Sequence, residues 1–208
     1  MYIPPHFSEN RTQELQRILR EHPLGMLVSH SEAGLDAEHI PFDFVPNESG
    51  NGGVLRGHVA RANSVWRRCP TGTPVMVVFR GEQAYISPNW YPSKQETHRL
   101  VPTWNYQVVH VHGTMKVLDD EKSVRNIVAL LTRQHEAAEP QPWKMGDTEP
   151  EFLKGMLQSI VGIEVAITTM VGKSKLSQNR ETGDRLHAST VLESRGKTAL
   201  GQAMRNAL

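Results

Sequence analysis

Two stretches of the chain concentrate aromatic side chains among small hydrogen-bonding ones. The first is Gly81–Lys94 (GEQAYISPNWYPSK) and the second Val101–Tyr106 (VPTWNY). They hold two of the four tryptophans and three of the four tyrosines. Aromatic faces beside Ser, Thr and Asn suit a ligand with a flat ring and polar edges. A hairpin whose aromatics fill the core accounts for them equally well. A third stretch, Gly57–Asn63 (GHVARAN), ends a strand and opens a short helix. It offers backbone N–H groups, an arginine and an asparagine to a phosphate, or is an ordinary helix start.

Other patterns carry less. Gly172-Lys173-Ser174 has the ending of a phosphate-binding loop, but Ile167 stands where the first glycine belongs, so a nucleotide triphosphatase is excluded. Lys173 and Lys175 remain as cations at a strand end. His110 and His112 lie two apart on the polar face of a strand, where two imidazoles can share a metal. A further ligand would have to come from His39, His58 or a carboxylate; no spacing specifies one, and no metal site is assigned. A Gly-x-Ser-x-Gly elbow is absent, and Cys69 beside Arg67 and Arg68 reads as a packed bystander. No side chain stands out as an acid–base catalyst.

The positions that could hold these groups belong to an ordinary globular chain. Its 208 residues are 38% apolar and 22% charged, with a formal net charge of +1, which excludes disordered acidic tails, collagenous repeats and polybasic arms. At this length a chain buries roughly 70% of its unfolded surface, so one domain over residues 1–208 is expected without a metal or disulfide. The single cysteine and the lack of a signal peptide or an apolar spanning run predict a soluble, cytoplasmic protein with no membrane partner. The charge is unevenly spread: Asp119–Glu151 sums to −4 and residues 172–208 to +4. A basic segment attracts phosphate, on a cofactor or a nucleic acid, or is simply a solvated helical face. No helix-turn-helix signature supports direct DNA recognition.

Periodicity supplies the elements. Leu15, Ile18 and Leu19 mark a first helix, capped by Ser8 or Asn10 and stopped at Pro23. Strands follow at 24–30, 36–42 and 54–60, with a loop at 47–53 and a short helix near 62–68. Val75–Phe79 and Gln83–Ser87 read as two strands about a Gly81 turn. Residues 105–118 alternate with period two. The period then changes: Val124, Ile127, Val128 and Leu131 give a helix over 120–135, and Phe152, Leu153, Met156, Leu157 and Ile160 another face. Together these form a helical insert at about 120–160. A last strand holds Ile163–Val171, and a basic helical end at about 184–208 breaks near Gly196. The class is α+β around a small antiparallel barrel.

Six motifs occur in an order that resembles a known family: Met1–Pro4, His39–Phe42, Gly57–Asn63, Tyr85–Tyr91, Val101–Tyr106 and Gly172–Arg180. The chain is similar, from residue 1 to about 195, to the PaiB-like family of FMN-binding negative transcriptional regulators. The resemblance implies a split β-barrel of the pyridoxamine-phosphate-oxidase type with peripheral helices. It also implies a homodimer with FMN at the subunit interface and, in some bacteria, repression of protease and sporulation genes. A flavin-dependent oxidoreductase or a haem-binding protein on the same barrel are the alternatives. FMN needs cations and hydroxyls for its phosphate, apolar walls for its ring, and polar groups for ribityl and pyrimidine atoms. The matching positions are His39, Ile40, Pro41, Phe42, His58, Arg61, Asn63, Ser87, Trp90, Tyr91, Thr103, Trp104, Asn105, Lys173, Lys175 and Gln178. Arg61 and Asn63, then Lys173 or Lys175, are the phosphate candidates. Ser174 stands where the family often has a tryptophan between the two lysines.

Overall fold

The three longest strands, of 13, 16 and 16 residues, are long enough to alternate inward and outward side chains several times. The computed structural model describes residues 1–48 and 52–207. In chain order the strands are β1 (Ser8–Glu9), β2 (Leu24–Ser31), β3 (Gly34–Pro41), β4 (Asp43–Pro46), β5 (Gly53–Ala60), β6 (Pro74–Ile86), β7 (Thr103–Leu118) and β8 (Ile160–Lys175). The helices are α1 (Thr12–Glu21), α2 (Val65–Arg68), α3 (Lys94–Thr97), α4 (Glu121–Glu136), α5 (Pro150–Gln158), α6 (Thr182–Ser194) and α7 (Thr198–Asn206). The strands form one eight-stranded sheet in the order β3-β2-β6-β7-β8-β5-β4, with β1 added on β8. The class is the α+β split barrel with peripheral helices that the sequence predicts.

Several expectations are refined. Gly81 makes no turn: β6 runs through it, and buried Ala84 and Ile86 continue the strand beyond. One glycine in a strand breaks no hydrogen bonds, so apolar residues on either side outweigh it. Ser8 lies in β1, opposite Lys173, and its hydroxyl donates to Asn10. The segment expected as one strand at 36–42 continues past a break at Phe42, whose N–H bonds the carbonyl of Pro23, into β4. Part of the expected loop, 49–51, lies outside the described residues.

Helix α4 starts as its acids predict, with the Asp120 carboxylate accepting from the Ser123 N–H at 2.9 Å and Val124, Ile127 and Leu131 buried. Helix α5 differs. Leu157 is buried, but Phe152 and Met156 are 62% and 51% exposed. Neighbouring helical positions are turned about 100° apart, so four apolar residues at 152, 153, 156 and 157 cannot all share one narrow face. Among the described residues, no helix is long and apolar enough to cross a membrane.

The chain divides into two compact units. One comprises Met1–Ile18, Arg80–Val109 and Val171–Leu208; the other comprises Leu19–Phe79 and His110–Met170. The first is centred on Ile86, Tyr91, Leu176, Leu192, Leu200 and Met204. The second buries Leu27, Phe42, Leu55, Val77, Val111 and Ile163.

Candidate functional site

The candidate residues divide between the two units. In the first unit the organising residue is Ser177, just beyond the end of β8. It is buried and has φ of 67°, a left-handed conformation that costs a non-glycine residue about 1–2 kcal/mol. Two side chains hold it there. Its hydroxyl meets the Tyr91 phenol at 2.9 Å and accepts from the Asn105 amide at 2.9 Å; that amide also reaches the Met204 sulfur at 3.3 Å. Burial pushes the Tyr91 phenol above its ordinary pKa, partly offset by the Ser177 bond. The Asn105 Oδ1 is buried with no partner.

Asn105 and Gln107 occupy the inward parity of β7, the same face as Val109, Val111 and Met115. Gln107 donates to Glu14 at 2.9 Å and to Ser174 at 3.3 Å. Ser174, where a tryptophan is frequent in the resembling family, is thus a buried partner of a glutamine. Gln178 folds back on its own turn, accepting from the Leu176 N–H at 2.7 Å and donating to the Ser174 carbonyl at 2.6 Å.

Cations gather on this segment. The Lys173 ammonium, nearly enclosed, donates to the Tyr2 carbonyl at 3.1 Å and stands 5.3 Å from the Tyr106 ring centre. Lys175 donates to the Thr103 hydroxyl. Burial lowers the Lys175 pKa; Tyr106 opposes this in part, and the charges of Lys173 and Arg180 add smaller lowering effects. Arg180 lies 5.7 Å over the Tyr91 ring. Among the described residues, none of these three cations has a carboxylate within ion-pair distance.

Around them, Trp104 is 53% exposed. Trp90 lies under the Arg195 guanidinium, and its carbonyl bonds His187 at 2.7 Å. The Ser87 hydroxyl accepts from the Asn89 N–H at 3.2 Å. Ser93 is tied to buried Asp184 by its N–H at 3.0 Å and its hydroxyl at 2.6 Å.

In the second unit, Ile40 and Phe42 are buried, whereas His39 and Pro41 are exposed. A side chain on Gly57 would stand 2.9 Å from the Pro41 carbonyl and 3.0 Å from Ile40, so this glycine permits the close approach of the His39–Phe42 segment. The neighbouring His58 is held below its ordinary pKa by burial, and its Nδ1 has no partner. Arg61 is engaged: its guanidinium bonds Asp119 at 2.6 and 3.1 Å and the carbonyls of Gln158 and Ile160 at 2.7 and 3.1 Å. Asn63 accepts from the Val65 N–H at 2.8 Å, serving the start of α2.

Residues 1–169 match the family described as "Putative FMN-binding domain". The chain belongs to this FMN-binding family. It is 30% identical over 193 residues to protease synthase and sporulation protein PAI 2 of Bacillus subtilis, a match spanning 93% of this chain and 89% of that one. It is 35% identical over 162 residues to an uncharacterised protein of Saccharomyces cerevisiae, covering 68% of this chain and 94% of that one. Among solved structures, its fold is shared with the flavocytochrome Anf3 of Azotobacter vinelandii. That match has a TM-score of 0.61 at 8% identity, over 83% of this chain and 72% of that one. The FAD- and haem-binding protein of Mycobacterium smegmatis is similar too, with a TM-score of 0.58 at 16% identity, over 81% and 73%.

The cofactor of the FMN-binding family fits the chemistry found here. FMN carries a phosphate dianion, and three cations without carboxylates lie on and beside the end of β8. It also carries hydroxyl and pyrimidine donors, and the buried Asn105 Oδ1 in the same unit is an acceptor without a donor. Ser177 and Arg180 join the candidate residues only through their contacts in the structure. They lie inside the Gly172–Arg180 motif, and the motif itself was the signal.

Proposed function

We propose that this protein is a homodimeric FMN-binding regulator in which Lys173, Lys175 and Arg180 hold the flavin phosphate. The observation that carries the reading is the absence of a carboxylate beside any of the three, among the described residues, although Lys173 is buried and Lys175 partly so. A cation taken from water without a counter-ion favours an anion that completes it. Thr103 adds a hydroxyl. Trp104, half exposed, is the available ring face, while Tyr91 shapes a wall from within the core of the same unit. Ser87, Asn105 and Gln178 supply polar contacts to ribityl and pyrimidine atoms. Arg61 and Asn63 already serve intramolecular bonds; Trp90 completes the apolar lining.

Bound FMN supplies reversible electron acceptance; the chain supplies anion binding, ring enclosure and exclusion of water. The flavin sits at the interface of a homodimer. The regulatory role follows the relative named for protease synthesis and sporulation. With a net charge of +1, the protein acts through a partner rather than by gripping duplex DNA.

Titration with FMN and with riboflavin tests the phosphate assignment. FMN binds at least about tenfold more tightly in the wild type, and Lys175→Ala with Arg180→Ala erases that preference. Equal binding of FMN and riboflavin by the wild type would overturn it. Sedimentation with and without FMN reads the dimer, and a monomer at saturating FMN removes the interface. Rapid anaerobic reduction of the bound flavin by NADH or NADPH would instead make the protein an oxidoreductase.

A further inference from the structure

A cavity lies in the second unit, wholly within the helical insert. Its volume is about 450 Å³, in the range of small-molecule sites, and its walls come from the end of α4 and the segment that follows. Ala129, Pro142 and the Trp143 ring supply apolar surface, while Arg133, Glu136 and Lys144 supply charge.

The charges are unusual for where they stand. The segment Asp119–Glu151 has eight acidic and four basic residues. Arg125 pairs with Glu121 at 3.6 Å. Arg133 and Lys144 both line the cavity, and among the described residues neither has a carboxylate within ion-pair distance despite the acidic surroundings. Glu136, the one acid in the wall, accepts the Trp143 N–H at 2.8 Å and thereby fixes the loop that carries the indole. The wall is thus an aromatic and aliphatic surface with two cations against one committed carboxylate.

We infer that this cavity binds a small organic monoanion, an apolar body carrying one carboxylate, separately from the flavin. The body lies against Trp143, Pro142 and Ala129, and the carboxylate meets Arg133 and Lys144. Arg binds carboxylates bidentately and Lys as a point charge, so the pair accommodates one carboxylate. The Glu136 charge disfavours a dianion, which separates this site from one built for phosphate.

The test uses the FMN-saturated full chain, with phenylbutyrate as probe and phenylbutanol as its uncharged match, followed by calorimetry. Phenylbutyrate binds once per chain, and phenylbutanol binds at least about tenfold more weakly. Arg133→Ala with Lys144→Ala brings the two within about threefold. Ala129→Trp, which fills the cavity, abolishes binding of both; Ala137→Trp does the same should the first variant fail to melt cooperatively. No saturable binding, equal affinity for acid and alcohol, or binding that survives a filled cavity would overturn the inference. So would sedimentation showing that a second copy of the chain occupies the groove and that Ala129→Trp releases it.

Discussion

The hydroxyls of Tyr91 and Ser177 meet at 2.9 Å, with both side chains enclosed in the protein. The bond ties the turn after β6 to the left-handed turn after β8. That second turn separates Lys175 from Arg180, so the geometry of the cation group depends on a buried neutral hydrogen bond several residues away.

Removing that bond is expected to cost stability first. Tyr91→Phe leaves the Ser177 hydroxyl short of a partner, a loss of about 1–2 kcal/mol that lowers the melting temperature by roughly 2–8 °C in a chain of this length. Ser177→Ala loses the same bond and keeps the left-handed strain. Ser177→Gly loses the bond and relieves the strain, so it melts above Ser177→Ala. The reverse order in thermal melts would mean that the turn is unstrained.

The Lys175 ammonium gives the flavin-free protein a recognisable alkaline response. Burial, reinforced by Lys173 and Arg180, holds its pKa below the ordinary 10.5. The folded state therefore binds fewer protons than the unfolded one in the window between the lowered value and 10.5, and stability rises with pH across it. Lys175→Met flattens that rise in melts recorded upward from about pH 8. An anion beside Lys175 raises its pKa again, so FMN binding within the window takes up protons. Calorimetry in two buffers of different ionisation enthalpy measures this uptake, and none would separate Lys175 from the phosphate.

His58 governs an acid response by the same logic. Burial depresses its pKa below 6.5 and leaves the ring neutral in the folded state. Protonation then favours the unfolded chain, so stability is intact above about pH 6.5 and falls as pH drops toward the lowered value. His110 is also pushed down by burial and shares in the loss. His58→Phe shrinks the drop in melting temperature between neutral and mildly acid pH. An undiminished drop would take the effect away from His58.

Gly172 limits what the motif tolerates. A Cβ there would lie 2.2 Å from Leu15 Cδ2 and 2.7 Å from the Glu9 carbonyl. Gly172→Ala is expected to destabilise the protein by about 1–3 kcal/mol and to loosen β1 from β8. Hydrogen exchange at Ser8–Glu9 against the central strands reads this directly, with faster exchange expected in the variant.

The exposed pair between Arg61 and Asp119 makes a contrast. With side-chain exposures of 40% and 42%, it is screened by water. Asp119→Ala therefore changes the melting temperature little, whereas Arg61→Ala also frees the carbonyls of Gln158 and Ile160. If the lysines hold the phosphate, Arg61→Ala weakens FMN binding less than Lys175→Ala in parallel titrations.

Strand β7 was legible because its side chains alternate along most of its length, broken at buried Val108, and the parity of Val109, Val111 and Met115 carries backward to Asn105 and Gln107. Helix α4 was legible because period, acidic start and cap agree. The course of β6 through Gly81 was not, since local turn chemistry and strand pairing oppose each other there and pairing prevails. The left-handed turn at Ser177 was equally hidden. A serine does not announce that conformation, which is sustained by Tyr91 and Asn105 from far along the chain.

The amino-acid order alone determined the element types, the division of charge into an acidic insert and a basic end, and the motifs that place the chain among FMN-binding proteins. Those are local properties, carried by spacing and residue chemistry. Only the tertiary structure decided which cations remain without carboxylates. Arg61 and Lys175 look alike in sequence, but one meets Asp119 and the other meets Thr103. Which partner a charge finds depends on how strands distant in the chain come into register, and no run of neighbouring residues records that.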